Sequence, residues 1–355
     1  MKKLNGFFIA LFITLFSLSS CEELDTPNPN NPTNPLSYIN QHSAERMLLV
    51  LSAPSINNSY YADDFDAILD FMVDYADVVM GNDNIIVLAD AQTMPYLENR
   101  LPVDVLLQAN VEDIWMRDFT TVIPSQMLQF AYEPQTLSPN LAAAIQWSFV
   151  NFTDAHNLDY AYTDFVLDGG NIVDNNFDKM VLTERFLEDN NLTVAQAKNI
   201  LLNIPNINEV SIIPYDDEVL GHADGMVMFA DDNTLLINRY EEPFRTQVLD
   251  ILQSDLPNVE IVEVDVAFDE TIWDEYASSC GINLNSTVTH NFIYTPTFNS
   301  PIDAETVATM QANTTKTVKT VNAEGVCFMG GSVRCLTWQL QGANAQRLIT
   351  AARNN

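Results

Sequence analysis

The chain has 355 residues, 47% hydrophobic and 10% aromatic, with 11 Gly and 16 Pro, so it holds enough apolar material for a large core and is neither disordered nor collagen-like. Its 15 Lys and Arg stand against 48 Asp and Glu, a formal charge of −33 at pH 7. A polyanion of this size is repelled by phosphate backbones, which argues against nucleic acid as a partner, while its field draws small cations.

Lys2 and Lys3 open the chain, and an apolar run from Phe7 to Leu18 follows, broken by Thr14 and Ser17. A basic start, about a dozen apolar residues and small residues after them describe a secretory signal, too short to span a bilayer comfortably. The ending Leu18-Ser-Ser-Cys21 resembles a bacterial lipobox, which implies cleavage after residue 20 and lipidation of Cys21. Loss of residues 1–20 removes two lysines and no acid, taking the charge from −33 to −35. Residues 21–40 contain Asp25-Thr-Pro-Asn-Pro-Asn-Asn-Pro-Thr-Asn-Pro35, too dense in Pro and Asn to pack, and read as an extended tether. The expectation is an exported bacterial lipoprotein of the cell envelope, on its periplasmic or cell-surface side, touching a membrane only through Cys21.

From Met47 onward short strands and helices alternate. Strands are predicted at Met47–Leu51, Asn84–Leu88, Val103–Leu107, Lys179–Leu182, Val210–Ile213, Met226–Phe229, Thr234–Ile237, Val259–Val264, Phe292–Tyr294 and Thr317–Val321. Helices are predicted at Asp63–Val79, Leu141–Phe149, Thr193–Leu202, Glu242–Ser254, Ala304–Asn313 and Gly342–Arg353. The first of these is the clearest: Phe65, Ile68, Leu69, Met72, Val73 and Ala76 recur at the spacing of one helical face. No linker interrupts the alternation, which predicts a single large α/β domain over residues 41–355. The glycine-rich turn of dinucleotide-binding folds is absent.

Four short clusters carry the chemistry: Trp115-Met-Arg-Asp118, Asp168-Gly-Gly-Asn171, Gly221-His-Ala-Asp224 and Met329-Gly-Gly-Ser-Val-Arg-Cys335. Of the four histidines, His222 alone has a carboxylate two residues away with a predicted strand beginning just beyond. Residues i and i+2 of a strand share a face, so His222 and Asp224 are placed on one pocket. With Cys21 lipidated, Cys280, Cys327 and Cys335 remain, which suggests one pair and one free thiol. A thiol nucleophile, an imidazole and several carboxylates form a covalent-catalysis set. Carboxylates beside a Cys–His pair would repel the oxyanion of acyl transfer, but they suit a cationic carbon. A guanidinium offers a planar fork of N–H donors to carboxylates while a thiolate attacks its central carbon.

The order W-x-R-D, acid-G-G-N, G-H-x-D and G-G-x-x-x-C resembles the guanidine-modifying (pentein) superfamily, specifically its agmatine deiminase and Porphyromonas-type peptidylarginine deiminase group, from about Ala44 to Leu340. The resemblance implies a five-bladed α/β propeller of ββαβ units around a central site, and hydrolysis of a guanidine to a ureido group and ammonia. It implies that Cys335 is the nucleophile that forms a thiouronium, that His222 is the general acid and then base, and that Asp118 and Asp224 grip the guanidinium. Asp168 would orient the histidine, Trp115 would wall the pocket, and Asn285 matches an asparagine ahead of a late strand. No metal or organic cofactor is implied, and the partner is a small cationic guanidine or an arginine-containing peptide. With Cys335 so used, Cys280 and Cys327 are left as the disulfide pair. The chain departs from the family where Phe119-Thr120-Thr121 replaces x-G-P, where Asp168 replaces the usual Glu, and where Arg334 replaces the His before the nucleophile; Arg334 would bring a carboxylate-binding charge or a structural ion pair. An amidinotransferase, or a non-catalytic surface lipoprotein that binds cations, uses the same motifs differently.

Overall fold

The computed structural model describes residues 46–217 and 219–354; the expected signal and tether of residues 1–40, and Cys21, lie outside the described residues. The strand Leu48–Ser52 is buried along its whole length, as is Asn84–Ala89, which pairs with it in parallel. Between them runs the helix Phe65–Val79, whose apolar face meets the sheet and whose acids face water. Both strands read as continuous apolar runs because helices cover them, as parallel pairs require.

The same connection recurs four more times. Parallel pairs flank one or two helices at Leu128–Ala131 and Ala161–Val166, at Lys179–Thr183 and Glu209–Ile213, at Thr234–Asn238 and Glu260–Val264, and at Phe292–Thr297 and Thr317–Asn322. Each unit also has an antiparallel partner on its first strand. Val173–Asp174, Val227–Asp231 and Thr287–Val288 serve the last three units, and a single bridge from Val122 to Leu128 serves the second. In the first unit this partner comes from the far end of the domain: Trp338–Leu340 pairs antiparallel with Leu48–Val50. The fold is α/β, and its strands form six separate small sheets, none of them closed into a barrel.

Four apolar clusters fill the spaces between helices and sheets. In the largest, Trp338 is fully buried, stacks edge-on to Phe149 at 4.9 Å and donates its indole N–H to Thr121 Oγ1 at 2.8 Å. The disulfide predicted between Cys280 and Cys327 is present, with Cα atoms 4.8 Å apart, and Cys335 is the free thiol among the described residues.

Several predicted elements shift. The strand placed at Val103–Leu107 begins as a 3-10 turn, Val103–Val105, and becomes a strand only over Leu106–Gln108. The helix placed at Leu141–Phe149 runs from Pro139 to Ala155; Ser138 Oγ caps it by accepting from Leu141 N, and its outward Trp147 blurs the apolar stripe. The strands Leu128–Ala131, Ala161–Val166 and Trp338–Leu340, the helix Arg185–Asn190 and the hairpin Ile272–Trp273/Tyr276–Ala277 give no sequence signal, being short or lacking a clear alternation of buried and exposed residues.

Candidate active site

Every unit brings its chemistry to the same topological place, the turn that leads into its antiparallel strand. Asp118 lies in the single helical turn Met116–Phe119, ahead of the Val122 bridge. Asp168 and Gly170 belong to the 3-10 turn before Val173, and His222 and Asp224 to the 3-10 turn before Val227. Asn285 precedes Thr287, and Cys335 precedes Trp338. His222 and Asp224 thus share a pocket through a tight turn, not through the strand alternation expected from sequence; the strand starts only at Val227.

Cys335 Sγ lies 3.7 Å from Asp224 Oδ2 and receives an N–H from Asn285 Nδ2 at 3.1 Å. The other end of that amide, Asn285 Oδ1, accepts from Ser332 Oγ at 2.9 Å and from the backbone N–H of Cys335 at 3.4 Å. Asn285 therefore clips the nucleophile loop to the His222–Asp224 turn. On the opposite side, His222 Nε2 is 3.4 Å from Asp168 Oδ2, and Nδ1 is 3.9 Å from Asp118 Oδ1. Gly170 N donates to the same Asp118 oxygen at 3.0 Å. A Cβ on Gly170 would overlap His222 Nδ1 and stand 2.8 Å from that oxygen, so this position has no room for a side chain.

Arg117, inside the first motif but given no role from sequence, proves to be the tie between motifs. Its Nε donates to Gly169 O at 2.9 Å, its Nη2 donates to Ile172 O at 2.6 Å, and its backbone N donates to Cys335 O at 3.0 Å. Asn171 Oδ1 accepts from the backbone N–H of Thr183, and the Thr183 hydroxyl, with one proton to give, stands within hydrogen-bond reach of both Asn171 Oδ1 and Gly221 O. The four motifs are thus bonded to one another, through strands as well as directly.

Residues 38–340 match the family model of Porphyromonas-type peptidyl-arginine deiminases. The chain belongs to that family. This places it among the hydrolases of C–N bonds in linear amidines. Among solved structures it is similar to a C. jejuni agmatine deiminase with substrate bound, at 17% identity and a TM-score of 0.69, over 84% of this chain and 94% of that one. An agmatine deiminase of Enterococcus faecalis matches at 15% identity and TM-score 0.67, over 84% and 94%. A Porphyromonas gingivalis protein assigned as an arginine deiminase matches at 18% identity and TM-score 0.65, over 83% and 96%. No curated protein matches it by sequence.

In this deiminase-family chain, Cys335, His222, Asp224, Asp118, Asp168, Trp115 and Asn285 all line one cavity of about 510 Å³. Arg334 does not line it. Its buried guanidinium turns away, donating Nη2 to Ile172 O at 3.0 Å, with Nε 3.9 Å from Asp224 Oδ2. The expectation that Arg334 touches substrate is thereby corrected, and its second reading, a structural ion pair, is what the geometry shows. Sequence reading also missed the outer wall, where Glu112, Asp113, Asp274 and Glu275 stand among Tyr60, Tyr61 and Tyr276. Ten carboxylates in all line the cavity, and among its described lining residues there is no Lys or Arg.

The field of these acids sets the protonation states. Burial lifts the Asp118 carboxyl to about 7, with Asp168 and Asp224 adding to the rise and His222 opposing it. Burial acts against the His222 imidazolium, but Asp118, Asp168 and Asp224 outweigh it and raise the histidine to about 9. Burial, then Asp224 and Asp118, push the Cys335 thiol well above its ordinary value. Cys335 is therefore held as a neutral thiol. Among the described residues no group of three or more His, Cys, Asp or Glu is arranged to hold a metal ion.

Proposed function

We propose that the protein deiminates a guanidine that lacks a free carboxylate, either agmatine or an arginine whose carboxylate is in a peptide bond, to a ureido product and ammonia. The observation that carries this reading is the cavity itself: a thiol and an imidazolium ringed by ten carboxylates, with no Lys or Arg among the described lining residues to receive an anionic group. Asp118 and Asp224 accept the N–H groups of the guanidinium, and its charge offsets the acids beside Cys335. The thiol then gives its proton up to solvent, and Sγ bonds to the guanidinium carbon as the C=N π pair moves onto nitrogen. The C–N bond to one terminal nitrogen breaks, and that nitrogen leaves as ammonia with a proton from His222. The remaining thiouronium is attacked by water, which gives its proton to the now neutral His222. The C–S bond breaks, the thiol is restored, and oxygen stands where nitrogen was.

The test uses the full chain and a Cys335→Ala control with agmatine, free arginine, and peptides bearing internal or C-terminal arginine, following ammonia and ureido product together. Cys335-dependent release from agmatine or internal arginine is expected, with free arginine and C-terminal arginine at least about tenfold poorer for want of a carboxylate partner. A preference for free arginine would overturn the substrate reading. Product that appears only with an amine acceptor would make the protein an amidinotransferase, and binding without product would make it a cation-binding lipoprotein. Asp118→Asn and Asp224→Asn should each lower kcat/KM by about 10²–10⁴, the scale of a broken buried charge pair.

The five repeated units, with Trp338–Leu340 joined to Leu48–Val50, support closure into a ring of five blades around the cavity. Leu18-Ser-Ser-Cys21 and the Pro/Asn-rich segment after it support a lipid-anchored, exported domain; Cys21→Ser should move the protein out of the membrane fraction.

A further inference from the structure

Two buried guanidinium groups converge on one carbonyl. Arg117 Nη2 and Arg334 Nη2 both donate to Ile172 O, at 2.6 and 3.0 Å. Like charges gathered at one acceptor repel, and each arginine has a carboxylate nearby to offset this: Arg117 Nη2 is 4.0 Å from Asp174, and Arg334 Nε is 3.9 Å from Asp224. The two pairs differ in one respect. Arg117 uses both Nε and Nη2 on carbonyls, whereas the buried Nε of Arg334 makes no hydrogen bond, and the acidic oxygen facing it is Asp224 Oδ2. That oxygen is also the one 3.7 Å from Cys335 Sγ. Asp224 therefore stands between a resident guanidinium outside the cavity and the place of the substrate's guanidinium inside it.

We propose that Arg334 is a positioning residue for deimination, holding the Asp224 carboxylate toward Cys335 and the substrate and offsetting its charge from behind the cavity wall. This rests on the deiminase reading of the same site. A residue that merely filled space or braced Ile172 O would not need a charge, since a neutral amide also donates to a carbonyl. A cation within 4–6 Å of a carboxylate, in contrast, shifts the proton balance of everything around it. The charged and titratable groups that share this field are Arg117 and Asp118 from the first motif, His222 from the turn that holds Asp224, and Cys335. Asp168 reaches it through His222, and Tyr75 senses Arg334 from the sheet side.

The closing experiment compares wild type, Arg334→Gln and Arg334→Lys as full chains. One arm records kcat/KM for agmatine and for an internal-arginine peptide across pH. The other, without substrate, records the rate of Cys335 alkylation by iodoacetamide near about pH 9. With the cation gone, the acidic cluster takes up a proton at higher pH, so the acid limb of kcat/KM in the glutamine variant should move up by about one pH unit, and the thiol should alkylate about tenfold more slowly. The lysine variant should restore both. Unchanged limb and unchanged alkylation in the glutamine variant, whatever its melting temperature, would reduce Arg334 to a brace; so would a lysine variant no better than glutamine. Should neither guanidine be turned over by wild type, the deiminase reading fails while the alkylation arm still decides the role of Arg334. Should the glutamine variant not fold, Arg334→Met takes its place: uncharged at any pH, it must show the slowed alkylation that Arg334→Lys does not.

Discussion

Asp118 and His222 face each other across 3.9 Å with their proton affinities pushed toward one another's working range, the carboxyl to about 7 and the imidazole to about 9. On the proposed mechanism Asp118 must be ionised to grip a guanidinium, so activity should fall as pH drops through about 7. His222 must be protonated to serve as the acid, so activity should fall as pH rises through about 9. The expected kcat/KM profile is a bell between these limbs. Asp168→Asn tests its origin: Asp168 raises both groups, so its loss should move both limbs to lower pH, and a fixed alkaline limb would remove Asp168 from its orienting role. Gly170→Ala is the sharper steric probe. The added methyl displaces His222 and Asp118 together, so kcat/KM should fall by about 10²-fold, the cost of roughly an ångström of misplacement, with a far smaller change in melting temperature. The residue scale was also where the sequence spoke most clearly. Cys335, His222, Asp118 and Asp224 were legible because a thiol, a scarce histidine and acids next to glycines have few other reasons to recur together. Arg334 was legible as a charge near the nucleophile but not as one facing away from the cavity, since nothing in a sequence says which side of a carboxylate an arginine will occupy.

The turns that carry these side chains are short, and short elements keep their geometry only when something else holds them. Cys280 lies five residues before Asn285, and Cys327 eight before Cys335; their disulfide therefore ties together the two segments that place the nucleophile and its amide partner. Ser279 adds to the seam, donating both its backbone N–H and its hydroxyl to Cys327 O, at 2.8 and 3.0 Å. Replacing both cysteines by serine should lower stability by about 2–5 kcal/mol in chemical denaturation. Reductant applied to wild type should do the same, and an unshifted midpoint would mean that packing alone holds the seam. At this scale the sequence was half legible. Helices with a full apolar face, such as Phe65–Val79, stand out. Trp338–Leu340 does not, for three residues show no period, and what makes them a strand is Leu48–Val50, nearly three hundred positions away. The hairpin Ile272–Ala277, whose tip carries Asp274 and Glu275 into the cavity wall, is equally silent, because its outward Ile272 and half-buried Trp273 break any alternation.

Across the whole molecule the excess of 48 acids over 15 bases is not spread evenly in its effect, since ten of the carboxylates line one cavity of about 510 Å³. Low-dielectric walls focus such a field, so capture of a cationic substrate should slow as salt screens it. Raising ionic strength should reduce kcat/KM for doubly charged agmatine more than for an arginine peptide of single net charge, with kcat little altered. Equal salt dependence for both would mean that the outer acids do not steer. The −33 charge was plain from composition, yet where it gathers was not, because the lining acids come from separate loops between Glu112 and Glu275.

The pairing of Trp338–Leu340 with Leu48–Val50 also has a bearing on time. The strand that completes the first sheet follows the nucleophile by three residues, and its partner was made near the start of the domain. A chain emerging from the ribosome residue by residue therefore holds its four carboxylate-, imidazole- and amide-bearing turns before it has either the Cys335 thiol or the strand that seats it. On the proposed mechanism, a chain interrupted anywhere before Cys335 has no nucleophile to offer a guanidine.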